Sequence, residues 1–157
     1  MDNLDKELID FWKSLNQFNV AYIMIGGFAV NLHGFARTTG DIGIWLKDEV
    51  GNRRSLGKAL SQFGYDERTF EEIDFVPGWT DFSIGSGLRL DIITTMVGLE
   101  DTSFDEALEQ ATIAEIIDVK VPFLKINQLI KNKKATNRPK DIIDVIELEK
   151  IRKLREE

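Results

Sequence analysis

Between Tyr22 and Trp45 the chain reads YIMIGGFAVNLHGFARTTGDIGIW, and this stretch limits the possible folds more than any other. An apolar run, Tyr22 to Ile25, ends at the paired glycines Gly26 and Gly27, passes into a segment compatible with a short helix, and re-enters an apolar run at Ile42. The expected order is strand, glycine turn, helix, strand. Glycines at such a junction let the backbone approach a ligand closely, because no Cβ stands in the way. The free N–H groups of the first helical turn point at the same place and, with the helix dipole, favour an anion, above all a phosphate. Asp41 follows fourteen residues after Gly27, at the mouth of the next strand, where a carboxylate can hold a divalent metal against that phosphate.

Paired glycines alone mark many tight turns that bind nothing. The longer succession of GG, AV, HG and R-x-T-x-D-I resembles the signature of the polymerase-β-like nucleotidyltransferases, especially the small bacterial ones related to the AbiEii and minimal nucleotidyltransferase groups. The resemblance implies an α/β (α+β) fold, a mixed, twisted sheet flanked by helices. It also implies a nucleotide site to which Gly26, Gly27, Arg37 and Thr39 belong, with Asp41 as a catalytic metal ligand. The implied reaction moves a nucleoside monophosphate from a nucleoside triphosphate to a hydroxyl of a small molecule or protein, with Mg2+ as cofactor and pyrophosphate leaving. Such enzymes carry D-x-D because carboxylates at i and i+2 reach one metal pair from one face of a strand. Here the chain reads Asp41-Ile42-Gly43, and the second carboxylate is missing.

A length of 157 residues suits a single domain spanning 1–157, with C-terminal helices from about 124 packed on it. The net charge of −7 argues against a general affinity for long nucleic acid or for an anionic membrane surface. The absence of cysteine removes disulfides, thiolate metal sites and cysteine nucleophiles. No apolar run approaches the ~20 residues that span a bilayer. The acidic start MDNLDKELID has no apolar signal-peptide region, so a cytoplasmic protein is expected.

Leu4, Leu8, Phe11, Trp12, Leu15 and Phe18 fall at helical spacing, which predicts an amphipathic helix capped near Asp2 or Asn3 and used for core packing. Ile42, Ile44 and Leu46 alternate as a strand, and Asn52 to Phe63 reads as a helix closed by Gly64. Tyr65 to Pro77 reads as a loop or short edge strands. Asp81 to Ile84 and Leu88 to Thr94, joined through Gly85-Ser86-Gly87, form an expected hairpin. A short helix around Phe104 to Ala111 is capped from Asp101-Thr102-Ser103, and Ile113 to Phe123 reads as one strand ended by Pro122. Two helices finish the chain, Leu124 to Ala135 and one opening at Pro139, whose buried side is expected at Ile142, Ile143, Val145, Ile146 and Leu148.

Asp91 lies in the apolar strand LRLDIITT, so it either faces an open side of a sheet or has a cation to bind. By the resemblance it matches the further aspartate that completes the metal site beside the D-x-D strand. Asp81, on the neighbouring predicted strand, is the one candidate to replace the carboxylate missing at Gly43, and the spacing does not establish that it reaches. The segment LIKNKKATNRPKDIIDVIEL resembles the lysine, R-x-K-D, x-x-D ending of the same small enzymes, matched here by Lys131 or Lys134, Arg138, Lys140, Asp141 and Asp144. Lys134 and Arg138 reach the triphosphate, or they belong to a helix N-terminus stabilised by its own acids. Asp141 and Asp144 are expected to be structural. His33, the single histidine, is expected to be packed or hydrogen-bonded rather than a metal ligand. Arg37 contacts nucleotide, or pairs with Asp41 or Asp91, or both. An alternative to transfer is a catalytically lapsed relative that binds nucleotide or a protein partner, as in a toxin–antitoxin pair.

Overall fold

The computed structural model describes residues 3–36, 41–76 and 81–156. Its elements in chain order are α1 (Asn3–Gln17), β1 (Tyr22–Ile25), α2 (Gly26–His33), β2 (Asp41–Leu46), α3 (Val50–Ser61), β3 (Asp81–Ile84) and β4 (Leu88–Ile93). They are followed by α4 (Phe104–Gln110), β5 (Thr112–Ile116), β6 (Val119–Phe123), α5 (Ile126–Thr136) and α6 (Pro139–Glu156). The strands form one six-stranded mixed sheet in the order β3-β4-β2-β1-β6-β5. β1 runs antiparallel to β2 and parallel to β6, while β2 and β4 are parallel; β3–β4 and β5–β6 are antiparallel hairpins.

The apolar run of β1 is buried along its whole length, as a strand covered on both faces must be. α1 buries Leu8, Phe11, Trp12 and Leu15 in the core, and the Trp12 indole N–H meets the Met24 sulfur of β1 at 3.3 Å. Ser14 Oγ donates to Ala59 O at 2.7 Å, which ties α1 to α3. Asn52 fixes the ends of β1 and β2 together: its Oδ1 accepts from Ala21 N at 2.7 Å, and its Nδ2 donates to Ala21 O and Lys47 O. A buried amide with all these groups matched is a register lock, because a slip of one residue would strand them.

Three sequence expectations change. The helix expected from Asn52 begins at Val50. The stretch expected to be one strand from Ile113 is the β5–β6 hairpin, turning at Ile117 and Asp118 with φ of 46° and 64°. Two successive left-handed residues are the geometry of the commonest tight hairpin turn, here made without the glycine that would announce it. Pro122 consequently lies inside β6, opposite Ile113, instead of ending a strand.

The third change concerns α6. Ile142, Ile143 and Ile146 are about half exposed, whereas Asp141, Asp144 and Leu148 are buried against the rest of the fold. Positions 141, 144, 148 and 151 form one stripe at helical spacing, and the stripe begins with charge. Leu148→Ala should therefore cost about 2–5 kcal/mol, while Ile143→Lys should stay within about 0.5 kcal/mol in urea unfolding. The reverse ranking would place the buried side of α6 where the apolar count alone puts it.

Candidate functional site

β3 and β4 bury one set of alternate residues and leave the other more open, and β2 does so at its Asp41 end only, since Trp45 on that same face is buried. Ile42, Ile44, Leu88, Leu90, Ile92, Phe82 and Ile84 are buried, while Asp41, Arg89 and Asp81 are exposed and Asp91 is half-buried. Cross-strand partners share a face of the sheet, so the register arranges the open side in rows. One row runs Ser83, Arg89, Asp41, and the next runs Asp81, Asp91, Gly43, Ile25. Asp41 and Asp91 are thus diagonal neighbours on adjacent parallel strands.

Because Ile25 is opposite Gly43 in an antiparallel pair, the chain leaves β1 beside the Asp41 end of β2, and there Gly26 and Gly27 open α2. Gly26 has φ of 68°, a left-handed conformation that would strain any residue with a side chain. The glycine turn and both candidate carboxylates are therefore brought to one end of two neighbouring strands. Arg37 and Thr39 lie outside the described residues. Position 43 stands directly opposite Asp91, which is where a second D-x-D carboxylate would start. Among the described residues, no group of three or more His, Asp or Glu side chains comes together as a metal site.

Asp81, the expected replacement for the missing acid, does reach this face, opposite Asp91. It is taken by Arg89, whose Nε donates to Asp81 Oδ2 at 2.8 Å and whose Nη2 donates to the same oxygen. Arg89 was not legible as a site residue. Only its place two residues before Asp91, hence on the same strand face, signals it. Its guanidinium is held still more firmly protonated than usual, chiefly by the Asp81 hydrogen bonds and charge and further by the charge of Asp41.

Lys134 and Arg138 have partners within their own helical hairpin, and Lys131 reaches the loop before α4. Lys134 pairs with Glu149 at 2.8 Å and Arg138 with Asp141 at 2.7 Å, while Lys131 pairs with Asp101. The lysine that the fold buries is Lys133, 3.3 Å from Asp141 and 3.0 Å from Asp144. Both acids are structural, as expected. Burial alone would push the Asp141 carboxyl up, but hydrogen bonds from Arg138 and Thr136 and the charge of Lys133 outweigh it and hold the group well below the usual carboxylate range.

His33 is packed, also as expected. One ring nitrogen lies 2.7 Å from Leu124 O, the other 3.2 Å from an Arg155 nitrogen, and its ring meets Phe123 edge-on. Burial pushes its pKa down; the bond to Leu124 works against this and the Arg155 charge adds to it. His33 thereby anchors the C-terminal end of α2 to α6, which fixes the direction in which the glycine-rich end of α2 points.

No family profile matches the chain, and no curated protein does. Several solved structures do. The lincosamide antibiotic adenylyltransferase LnuA, in its lincomycin-bound crystal structure, superposes with a TM-score of 0.63 at 18% identity, over 93% of this chain and 96% of its own. The antibiotic-resistance factor ANT(2'')-Ia gives 0.58 at 20% identity, over 96% of this chain and 83% of its own. An antigenic nucleotidyltransferase-like protein from Paracoccidioides brasiliensis gives 0.58 at 14% identity, over 94% and 77%. At these identities the likeness is one of fold: the mixed six-stranded sheet with its flanking helices is the architecture of these nucleotidyltransferase structures.

Proposed function

We propose that residues 1–157 form a single nucleotidyltransferase-like domain. It takes a nucleoside triphosphate with Mg2+ on the open face of β2 and β4 and transfers the nucleoside monophosphate to a hydroxyl of a small molecule. One observation carries this: the register sets Asp41 and Asp91 diagonally on adjacent strands at the end where Gly26 and Gly27 open α2. Backbone N–H groups at that helix end suit phosphate, and carboxylate oxygens suit magnesium. Arg37 and Thr39 belong to the same proposed nucleotide site. Lys134 and Arg138, both more than half exposed, enter it as outer contacts to the leaving phosphates, since each already has a carboxylate partner. A small-molecule acceptor is favoured over a protein because LnuA, of the same fold, was solved with lincomycin bound. Among the described residues no helix is long and apolar enough to cross a membrane, and the cytoplasm is the proposed location.

The donor set fits one divalent ion, shared by Asp41, Asp91 and the nucleotide's own phosphates, and does not fit a pair. Such an ion would neutralise phosphate charge as a Lewis acid. Gly43 favours a second reading, in which the chain is a lapsed relative, AbiEii-like or of the minimal group, that keeps nucleotide or protein binding without rapid turnover.

Calorimetric titration with a non-hydrolysable ATP analogue, with and without Mg2+, tests the site. Magnesium-dependent binding that weakens at least about tenfold in Asp41→Ala is expected, about 1.4 kcal/mol for a charge-assisted ligand contact. No binding of ATP, GTP, CTP or UTP analogues would remove nucleotide from the proposal and leave a protein partner to be sought.

A further inference from the structure

We infer that two copies of this chain pair through α6, antiparallel about a two-fold axis, with Ile143 of each copy packed on Ile146 of the other. The inference goes beyond the nucleotide proposal and does not depend on it. Ile142, Ile143 and Ile146 are 49%, 56% and 49% exposed, on the side of α6 turned away from the buried Asp141, Asp144 and Leu148. Residues three and four apart on a helix are neighbours, so these side chains form one apolar patch. Other exposed apolar residues, such as Val50 and Val97, stand singly, which is ordinary for a protein surface.

The charges around the patch select a second copy and its direction. At alternating three- and four-residue steps the stripe of Ile143 and Ile146 runs on to Lys150 and Lys153. A parallel pair of α6 helices would set each of these lysines against its own counterpart, like charge on like. The antiparallel pair sets isoleucine on isoleucine and carries both lysines to the start of the partner helix and beyond. Lys140 and Glu147 lie on one flank of the patch, two helical turns apart, and the same two-fold brings Lys140 of each copy beside Glu147 of the other. A two-fold contact is self-complementary, so this opposite-charge contact is made twice. Glu147 already holds Lys150 of its own helix at 3.3 Å, a surface pair of small worth that gives way to the contact between copies. The patch is small for an interface, so the pair is weak, with a dissociation constant on the order of 100 μM. At the lower concentrations of an unfolding experiment the copies are apart, and the small effect expected of Ile143→Lys on the single chain is unchanged.

Sedimentation equilibrium of the full chain, from about 10 μM to about 1 mM, tests the pairing. Salt of about 0.15 M shortens the Debye length to about 8 Å and so screens the net charge of −7 that each copy carries. The natural chain is expected to pass from monomer to dimer over this range, and Ile146→Lys to lose at least about tenfold in affinity. Glu147→Lys, which sets lysine beside Lys140 twice in each pair, should lose about as much. Lys140→Glu combined with Glu147→Lys restores opposite charges across the two-fold and should return the affinity to within about threefold of the natural value. Within one chain the two positions are two turns apart, so such recovery can come only from contact between copies. All the substituted side chains reach solvent, and circular dichroism checks that each variant is folded. A natural chain that stays monomeric to about 1 mM overturns the inference, as does a dimer that Ile146→Lys leaves unchanged. A double variant that fails to recover what Glu147→Lys loses overturns the antiparallel pairing.

Discussion

Replacing Gly43 with aspartate is expected to raise magnesium-dependent nucleotidyl transfer by about a hundred- to a thousandfold, because preorganised charge at a reacting phosphate is typically worth ~3–4 kcal/mol. The sheet register gives the reason. Position 43 is two residues beyond Asp41 on the same strand face and directly opposite Asp91, so a carboxylate there would complete an i, i+2 pair beside a third acid. The backbone allows it, since Gly43 is not among the residues with left-handed φ. A Cβ at this position would meet Ile25 Cγ1 at 3.2 Å and Ile25 O at 3.4 Å, so the buried Ile25 side chain has to give by a few tenths of an ångström. Removing glycine from a strand interior recovers about 0.5–1 kcal/mol of backbone entropy, so the net change in stability should stay within about 1 kcal/mol. Pyrophosphate release and thermal unfolding of both proteins measure the two halves of this expectation. A well-folded Gly43→Asp protein that transfers nothing to any tested acceptor would argue that the open face is not catalytic. A natural chain that already turns over, gaining less than tenfold, would show that the site does not need a second D-x-D carboxylate.

The parts of this fold that depend on local pattern were legible. β1, the glycine junction, β2 and the β3–β4 hairpin follow from apolar alternation and turn glycines, whereas the pairing of β2 with β4 that sets Asp41 beside Asp91 was expected only from the family resemblance. What escaped depends on partners distant in sequence. Arg89 looks like any exposed strand arginine until Asp81 and Asp41 are placed on either side of it. Lys133 could not be told from Lys131 or Lys134 by residue type. Only the rotation of α5 against α6 decides which lysine turns inward, and it chose the one that two acids on the next helix can pair. The same rotation exposes Ile142, Ile143 and Ile146, because a stripe holding Asp141 and Asp144 against Lys133 cannot also present those isoleucines to the core. A buried charge is rare enough that periodicity arguments discount it, and here that discount put the helix on the wrong face. The β5–β6 turn escaped for a different reason: Ile117 and Asp118 hold left-handed conformations that their identities do not announce.

The buried triad makes Lys133 the residue whose loss should destabilise the chain most. Lys133→Met is expected to cost about 3–5 kcal/mol, the usual result of leaving a buried charge without its counter-ion. For a domain of this size that is roughly 6–20 °C in the thermal midpoint. Lys133 is 3% exposed and its two partners no more than 1%, so water cannot take over the lost charge without opening the α5–α6 interface. Asp141 would keep its bonds from Arg138 and Thr136, whereas Asp144 would lose the ion pair at 3.0 Å. Lys133→Met with Asp144→Leu should therefore recover most of the loss, since an ion pair replaced on both sides by apolar groups is often neutral in stability. The penalty should also depend on pH. In the natural chain the Asp141 carboxyl titrates below its ordinary value near 4, so its contribution is complete above that pH and fades as the pH falls through and beneath it. Without Lys133 one of the charges lowering that pKa is gone and burial counts for more, so protonation relieves the variant sooner. The gap between natural and variant stabilities should be widest near pH 7 and should narrow below about pH 4. A gap that stays constant from pH 7 to pH 3 in chemical unfolding would mean that Lys133 acts through packing of its methylenes instead of through its charge.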